Sequence, residues 1–600
     1  MKLVNNAILS FAKSLQISYP NWDQSTINTI SELMQQTLSG DLYVTITDLT
    51  LVNHIRDKFP FVVETVNSEN RVYLQKSYSE KVKFENQFKS FLDYKTTHRQ
   101  TDNLNGGNLS ALIETLEKEA KVSLAEEQKK TISDVIQSNF RIISGGPGTG
   151  KTTVVSFILK SLERLKLLPE NERVALVAPT GRASQRLTES IQKNLEKFPN
   201  HQTDVKKFRG QTIHHLLKIN PTNNQSKYGE KRYLPYDLII IDETSMVDLK
   251  LMNLFFSAIH FDTQIILLGD PNQLPSVGQG EVLTDLIFTL KKKKDFLSEL
   301  TKNHRFSDQS EFSIFAEAVK TSFDQDEKTI NFPKPTLISK SDWKSEKDFV
   351  WLQGDRTNKK DDKGQNQILD FEQDSLVEFL WDELFLPTAM YTSKLNWNSE
   401  DLKVPLNKVK FETLINDYRC LTILRNGYFG IESIQNRILQ FAKKYITNNS
   451  NQTHLTYKHL SKSFYFEGMP IIIKTNDQIR KLFNGDIGLV VKINNELRAV
   501  FPIEEKLYSF ALDTLPDHEP AFFLTIHKSQ GSEYKSIFLY LPPIVSFDSS
   551  EENTNSLLNR RILYTAITRA KEKVILLGDT NTWEFGLSSF RRRYTGIQIS

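Results

Sequence analysis

An α/β fold built on two parallel-sheet cores is predicted by three observations. Short apolar runs (RIISG, RVALVAP, YDLIIID and TQIILLGD) alternate with helical stretches from about residue 120 to 335, the pattern of parallel strands covered by helices on both faces. A glycine-rich loop follows the first of these runs. The alternation restarts from FLPTAMYTSKL at 385–395, which gives a second, similar core without any visible tandem repeat.

The length supports that division, because 600 residues exceed one ordinary core at roughly 100 to 200 residues per domain. Apolar residues at 39% and charged residues at 25% are globular values, and no apolar run approaches the roughly 20 residues that cross a bilayer. The start, MKLVNNAILSFAKSLQ, reads as an amphipathic helix rather than a signal peptide, since no small-residue cleavage site follows an uninterrupted apolar core. One cysteine, Cys420, excludes an intrachain disulfide and a cysteine-rich metal cluster, and points to a reducing compartment. The net charge of +3 neither demands nor excludes nucleic acid, so any basic groove is local.

Three domains are expected. Residues 1–110 form a mainly helical N-terminal module with no chemical motif, suited to scaffolding or partner docking, and NLNGGNLS at 103–110 reads as a linker. Residues 111–335 form the first core and 336–600 the second. Residues 335–400 are polar and lysine-rich, including DRTNKKDDKGQNQ, and read as a surface insertion or loop. A small β module, opened by the turn residues Asn484, Gly485 and Asp486, is expected at about 484–520.

The chemistry is concentrated in the first core. Residues 145–153, GGPGTGKTT, fit G-x-x-x-x-G-K-[ST] between an apolar strand and a helical run. The backbone around Gly145, Gly146, Pro147, Gly148, Thr149 and Gly150 forms an anion nest closed by the first helical turn with Thr153. Lys151 supplies a point charge to the outer phosphates, and Thr152 offers a hydroxyl to Mg²⁺. In LIIIDETSM the acids Asp242 and Glu243 end an apolar run, placing Asp242 to hold the metal's water shell and Glu243 to orient or deprotonate the attacking water. The run TQIILLGDPNQLPSVG ends in Asp270 and Gln273, where Gln273 can sense the γ-phosphate and the water. Together these elements make an Mg²⁺-using NTPase, without saying what it moves.

The ordered motifs do say. LAEEQKKTI with Gln128, the phosphate loop, APTGRASQRL at 178–187, GQTIHHLL at 210–217, DETSM, GDPNQLPSVGQG, NHRF at 303–306, FFLTIHKSQGSEY at 522–534 and LYTAITRAKEKVILLGD at 563–579 together resemble superfamily 1 DNA helicases, and within them the RecD family of RecBCD-type helicase-nucleases (exonuclease V). The segment LRNGYFGIESIQNRI at 424–438 resembles the RecD stretch before the final strands. The resemblance runs from about residue 120 to the end. It implies two RecA-like P-loop cores with a small SH3-like β insertion in the second. It also implies that Gln128 reads the adenine edge and that Arg305 and Arg569 reach the γ-phosphate. Losing a guanidinium fork matched to a transferring phosphoryl group should cost several orders of magnitude in turnover.

For DNA, the resemblance places Pro179, Thr180, Thr212, His214, Thr525, His527, Ser529 and Gln530 along a single strand, and small hydroxyl and amide donors suit phosphates without reading sequence. Nothing outside the ATP site offers an acidic cluster for two-metal cleavage, so nuclease activity belongs to a partner. The implied function is a 5′–3′ translocase and helicase acting on single-stranded and duplex-end DNA in double-strand break repair. Its expected setting is a heterotrimer with RecB-like and RecC-like subunits in the bacterial cytoplasm. The competing readings are a stand-alone 5′–3′ helicase and an ATP-gated assembly scaffold without motor activity.

Overall fold

Apolar runs become strands buried on both faces, and these strands set the architecture of each half of the chain. The computed structural model describes residues 10, 13, 14, 17, 20, 22–56, 58–98, 106–170, 173–199, 208–291, 294–304, 310–323, 332–354, 373–395, 397–449, 453–460, 463–504, 506–544, 557–590 and 592–599. Two compact units emerge: Met1–Asn303 with Arg592–Ser600, and His304–Arg591. The division falls at 303/304 rather than at 335/336, because the chain leaves the first sheet directly after its last strand.

The first unit starts with β1 (Tyr43–Thr45), β2 (Phe61–Val66) and β3 (Glu69–Leu74), an antiparallel sheet in the order β1-β3-β2. The main sheet holds β4 (Phe140–Gly145), β5 (Val174–Ala178), β6 (Gly210–Thr212), β7 (Leu238–Ile241), β8 (Gln264–Gly269) and β9 (Leu297–Leu300). These six strands are parallel, in the order β6-β5-β7-β8-β4-β9. Successive side chains point to opposite faces. Ile143, Leu176, Ile240 and Ile266 therefore pack with the helices Gly106–Ala120, Glu126–Ile136, Lys151–Arg164 and Gly181–Leu195. Ile142, Val177, Ile239, Ile241 and Ile265 pack on the other face with Met252, Phe255 and Leu286.

That second face corrects the expectation of a separate N-terminal module. The helix Gln75–Thr97 buries Phe84, Phe88 and Phe91 against Phe140 and Phe256, so it covers the motor sheet itself. Among the described residues of this region, only a satellite cluster around Trp22, Ile30, Val44 and Val72 has its own core. The expected linker is also partly structured: residues 103–105 lie outside the described residues, whereas Gly106–Ala120 is a helix that buries Leu109, Ile113 and Leu116.

The tail returns to the first unit as a strap. Leu42 N–H donates to the Tyr594 carbonyl (2.7 Å) and Tyr594 N–H to Asp41 (2.7 Å). The Arg593 guanidinium donates to the carbonyls of Gly278 (2.8 Å) and Gly280 (2.9 Å), and Ile597 and Ile599 join the core. Gly596 sits at φ 63°, and a Cβ there would lie 2.2 Å from the Tyr73 hydroxyl oxygen. Gly596→Ala should therefore cost about 2 kcal/mol or more, from left-handed backbone strain plus overpacking, and lower the first melting transition. Gly427→Ala, at φ 86° with open space around it, pays the backbone strain alone. Equal melting losses in the two variants would contradict the strap.

The second unit repeats the parallel design. Its sheet holds β10 (Thr336–Ile338), β11 (Phe349–Leu352), β12 (Tyr418–Thr422), β20 (Phe523–Thr525), β21 (Tyr534–Leu541) and β22 (Ala570–Gly578), all parallel in the order β10-β11-β22-β21-β12-β20. Cys420 is fully buried in β12, which pushes its thiol up to about 12. Between β12 and β20 lie a hairpin, β13 (Tyr457–Leu460) with β14 (Ser463–Phe466), and five antiparallel strands. These are β15 (Pro470–Ile473), β16 (Ile487–Ile493), β17 (Glu496–Ile503), β18 (Lys506–Ala511) and β19 (His518–Pro520), in the order β18-β17-β16-β15-β19. The β module thus begins near residue 470, not 484. Its first strand, PIII, is apolar at every position and looks like a parallel core strand, while Asn484–Asp486 lie between β15 and β16.

Residues 335–400 are not simply a surface insertion. Strand β11 is a fully buried strand between β10 and β22, and the helical run from Gln373 to Ser393 buries Trp381, Leu384 and Phe385. The lysine-rich tract at 355–367 lies outside the described residues. Among the described residues, no helix is long and apolar enough to cross a membrane.

Candidate nucleotide and DNA site

Because the first sheet is parallel, the carboxyl ends of its strands share one edge, where α/β proteins bind ligands. The phosphate loop leaves β4, Asp242 leaves β7 and Asp270 leaves β8, with β8 between the other two. Strand β4 is two strand spacings from β7, about 10 Å, within the span of one nucleotide phosphate chain with its metal.

The loop's glycines are required by geometry. Gly148 and Gly150 have φ of 85° and 81°, and a Cβ on Gly150 would meet Gln128 Nε2 at 2.5 Å. Gly150 caps the helix Lys151–Arg164 without any side-chain hydrogen bond, so the first-turn N–H groups have no capping side chain and suit an anion. Lys151 Nζ donates to the carbonyls of Gly145 (2.6 Å) and Gly146 (3.1 Å), and Thr149 Oγ1 donates to Gly146 (2.8 Å). A phosphate would compete with those carbonyls for the ammonium. Thr152 and Thr153 lie in the same turn, partly exposed.

Gln128, expected at the adenine edge, engages both ends of its carboxamide within the protein. Its Oε1 accepts from Ala125 N–H (2.9 Å) and its Nε2 donates to the Thr149 carbonyl (2.9 Å). The residue thereby tethers its helix to the phosphate loop.

Opposite the loop, Asp242 Oδ1 accepts the Glu243 N–H (2.8 Å), and Glu243 adopts φ 51°. Asp270 is buried. It accepts from Asn272 N–H (3.0 Å) and from Gln273 Nε2 (3.3 Å), which holds the buried Gln273 at the strand end. Among the described residues no group of three or more His, Cys, Asp or Glu could cage a metal. Mg²⁺ needs no such cage, since it is usually held by one or two protein oxygens plus substrate phosphates. Thr152 and Asp242 supply oxygens of that kind.

Two further strand ends on this edge carry expected DNA residues. Pro179 and Thr180 follow β5, where Thr180 Oγ1 accepts the Ala183 N–H (3.2 Å) and caps the helix from Gly181. Thr212 ends β6 and caps a short helix through His215 N–H (3.1 Å), leaving His214 exposed. Arg305 lies outside the described residues. Asn303, two positions earlier, donates to the Pro147 carbonyl (3.1 Å), and Glu127 accepts three hydrogen bonds from Thr301 and Lys302. Sequence reasoning assigned neither residue a role, although Glu127 adjoins Gln128 and Asn303 opens NHRF.

In the second unit Thr525 ends β20, and its hydroxyl accepts the Lys528 N–H (3.2 Å). His527 is partly exposed and Gln530 is buried. Ser529 is fully buried and donates to the Ile526 carbonyl (2.7 Å), so it shapes the turn instead of facing a DNA strand. Arg569 follows the helix Arg560–Ile567. It is 2% exposed, with Nε donating to Thr565 (3.1 Å) and Nη1 to Ser532 (3.3 Å).

Family models match two parts of the chain: an AAA domain over residues 128–279 and a UvrD-like helicase C-terminal domain over 520–577. The RecBCD enzyme subunit RecD of Haemophilus influenzae is 30% identical over 503 residues, covering 78% of this chain and 71% of that one. The corresponding subunit of Mycolicibacterium smegmatis is 30% identical over 477 residues, covering 79% and 74%. Among solved structures, a Pif1 helicase from Bacteroides in complex with ADP-AlF3 and ssDNA aligns with 16% identity and a TM-score of 0.37, covering 79% of this chain and 95% of that one.

Proposed function

This chain belongs to the RecD family of superfamily 1 helicases, and from that membership and the strand-edge geometry we infer that it is an ATP-dependent DNA helicase, the motor subunit of a RecBCD complex. The observation that carries the reading is one sheet edge that brings together the phosphate loop, Asp242–Glu243, Asp270–Gln273 and the Thr180 and Thr212 caps.

In this reading the loop amides and Lys151 bind the ATP phosphates, and Gln128 reads the base with the second amide hydrogen and oxygen lone pair of a carboxamide already tethered to Thr149 and Ala125. Thr152 and Asp242 hold Mg²⁺, which supplies charge neutralisation on the phosphates. Glu243 orients the attacking water, Gln273 senses the γ-phosphate, and Arg305 and Arg569 stabilise charge on the transferring group. Pro179, Thr180, Thr212 and His214 in the first unit, and Thr525, His527 and Gln530 in the second, grip the DNA backbone. Alternating grip driven by ATP turnover moves the strand 5′ to 3′. RecB-like and RecC-like subunits complete the complex in the bacterial cytoplasm, and nuclease chemistry resides with a partner.

Polarity is tested by strand displacement from duplexes bearing a single-stranded tail at either end. The expected result is ATP-dependent displacement from the 5′-tailed duplex alone. Displacement from the 3′-tailed duplex would reverse the polarity. ATP hydrolysis with no displacement, alone or with the partner chains added, would favour the scaffold.

A further inference from the structure

Strands β4 and β9 are neighbours, with Gly145 opposite Leu300, so the phosphate loop and the segment Thr301–Asn303 leave the sheet side by side. The first turn of the helix Glu126–Ile136 reaches both. Adjacent helical residues point about 100° apart, and here the divergence serves two targets. Gln128 donates to the loop at Thr149 (2.9 Å). Glu127 turns to the other segment, where its carboxylate accepts from Thr301 N–H (2.8 Å), Thr301 Oγ1 (2.7 Å) and Lys302 N–H (2.7 Å). Asn303 closes the circuit by donating to the Pro147 carbonyl (3.1 Å). The loop is thus held on one limb through Gln128 and on the other through Asn303, whose own backbone position is set by Glu127.

We propose that Glu127 and Asn303 are positioning residues for ATP turnover, acting as two members of one hydrogen-bonded circuit that fixes the phosphate loop against the end of β9. Neither residue needs to touch the nucleotide. The three bonds to Glu127 are charge-assisted, the stronger kind, and all of them end on a three-residue segment that would otherwise be a surface turn. Thr301 and Lys302 are exposed, so this carboxylate contributes little packing. Its effect is to place Asn303. Releasing the Pro147 limb lets the loop relax, and a misplacement of about 1 Å near a reacting group can cost about 100-fold in rate. Ground-state binding of ATP is spread over the loop amides and Lys151 and changes less.

The inference rests on the ATPase reading above, and the test separates the two. Steady-state ATP hydrolysis with single-stranded DNA is measured for the full chain, Glu127→Ala, Asn303→Ala, the double variant and Glu127→Gln, with a melting curve for each. Each alanine variant is expected to lower kcat about tenfold, with KM for ATP within about threefold of wild type. The double variant should lose about tenfold rather than about 100-fold, because members of one network are non-additive. Glu127→Gln keeps a carbonyl acceptor and should recover to within about threefold of wild type. Wild-type kcat in both single variants, fully additive losses, or losses that track the melting temperature would each overturn the proposal. A wild-type chain that hydrolyses no ATP would instead sink the ATPase reading.

Discussion

Lys151→Gln is expected to lower ATP turnover by at least about 10²- to 10³-fold, the loss typical of removing one electrostatic contact to a developing charge. Lys151 is the first residue of the loop helix, and its ammonium shares the carbonyls of Gly145 and Gly146. A glutamine amide can still donate to these carbonyls, so the loop should keep its shape and the melting temperature should stay near wild type. What the amide lacks is the point charge for the outer phosphates. The check is a kcat measurement at saturating ATP beside a melting curve. Turnover near wild type would show that phosphate charge is met elsewhere.

Arg569→Ala carries the second large effect, an expected loss of about 10³- to 10⁵-fold if its guanidinium stabilises the transferring phosphoryl group. The same arginine is buried and donates to the carbonyls of Thr565 and Ser532, so the alanine variant also strands two acceptors and should melt earlier. Arg569→Lys separates the roles. It keeps the charge and can still meet a carbonyl, but it loses the planar fork. The expected outcome is a lysine variant with near-native melting and turnover still reduced by orders of magnitude. A lysine variant as active as wild type would make Arg569 a structural residue.

The first core was legible because four of its strands, β4, β5, β7 and β8, are apolar runs that end next to residues with chemistry. RIISG leads to the phosphate loop, LIII to Asp242 and QIILLG to Asp270. Parallel strands buried on both faces need no alternation, so their boundaries are sharp in the text. The helix Gln75–Thr97 was harder to interpret. Phe84, Phe88 and Phe91 have helical spacing, but spacing does not reveal which sheet face they cover. The start of the β module was placed too late for the converse reason, since the apolar tetrad PIII at 470–473 suits an antiparallel module as well as a parallel core. The return of Arg593 to Gly278 and Gly280, and of Gly596 to Tyr73, is a contact across several hundred residues that no local pattern encodes. In the site, the residues that would touch phosphate stood out by motif. Glu127 and Asn303 did not, although both stand in or beside quoted motifs, because their partners are mostly backbone groups of neighbouring segments that no sequence pattern brings together. Ser529 shows the opposite error: a motif position carried over as a contact has its hydroxyl turned into the protein.

The central claim is that ATP turnover in this chain is coupled to DNA. The most direct measurement is ATP hydrolysis by the purified full chain with and without single-stranded DNA, run beside Lys151→Gln and Arg569→Ala. DNA should raise wild-type turnover strongly, and both variants should lose it with DNA present. Turnover that is the same with and without DNA would contradict the motor and leave an ATP-gated scaffold in its place.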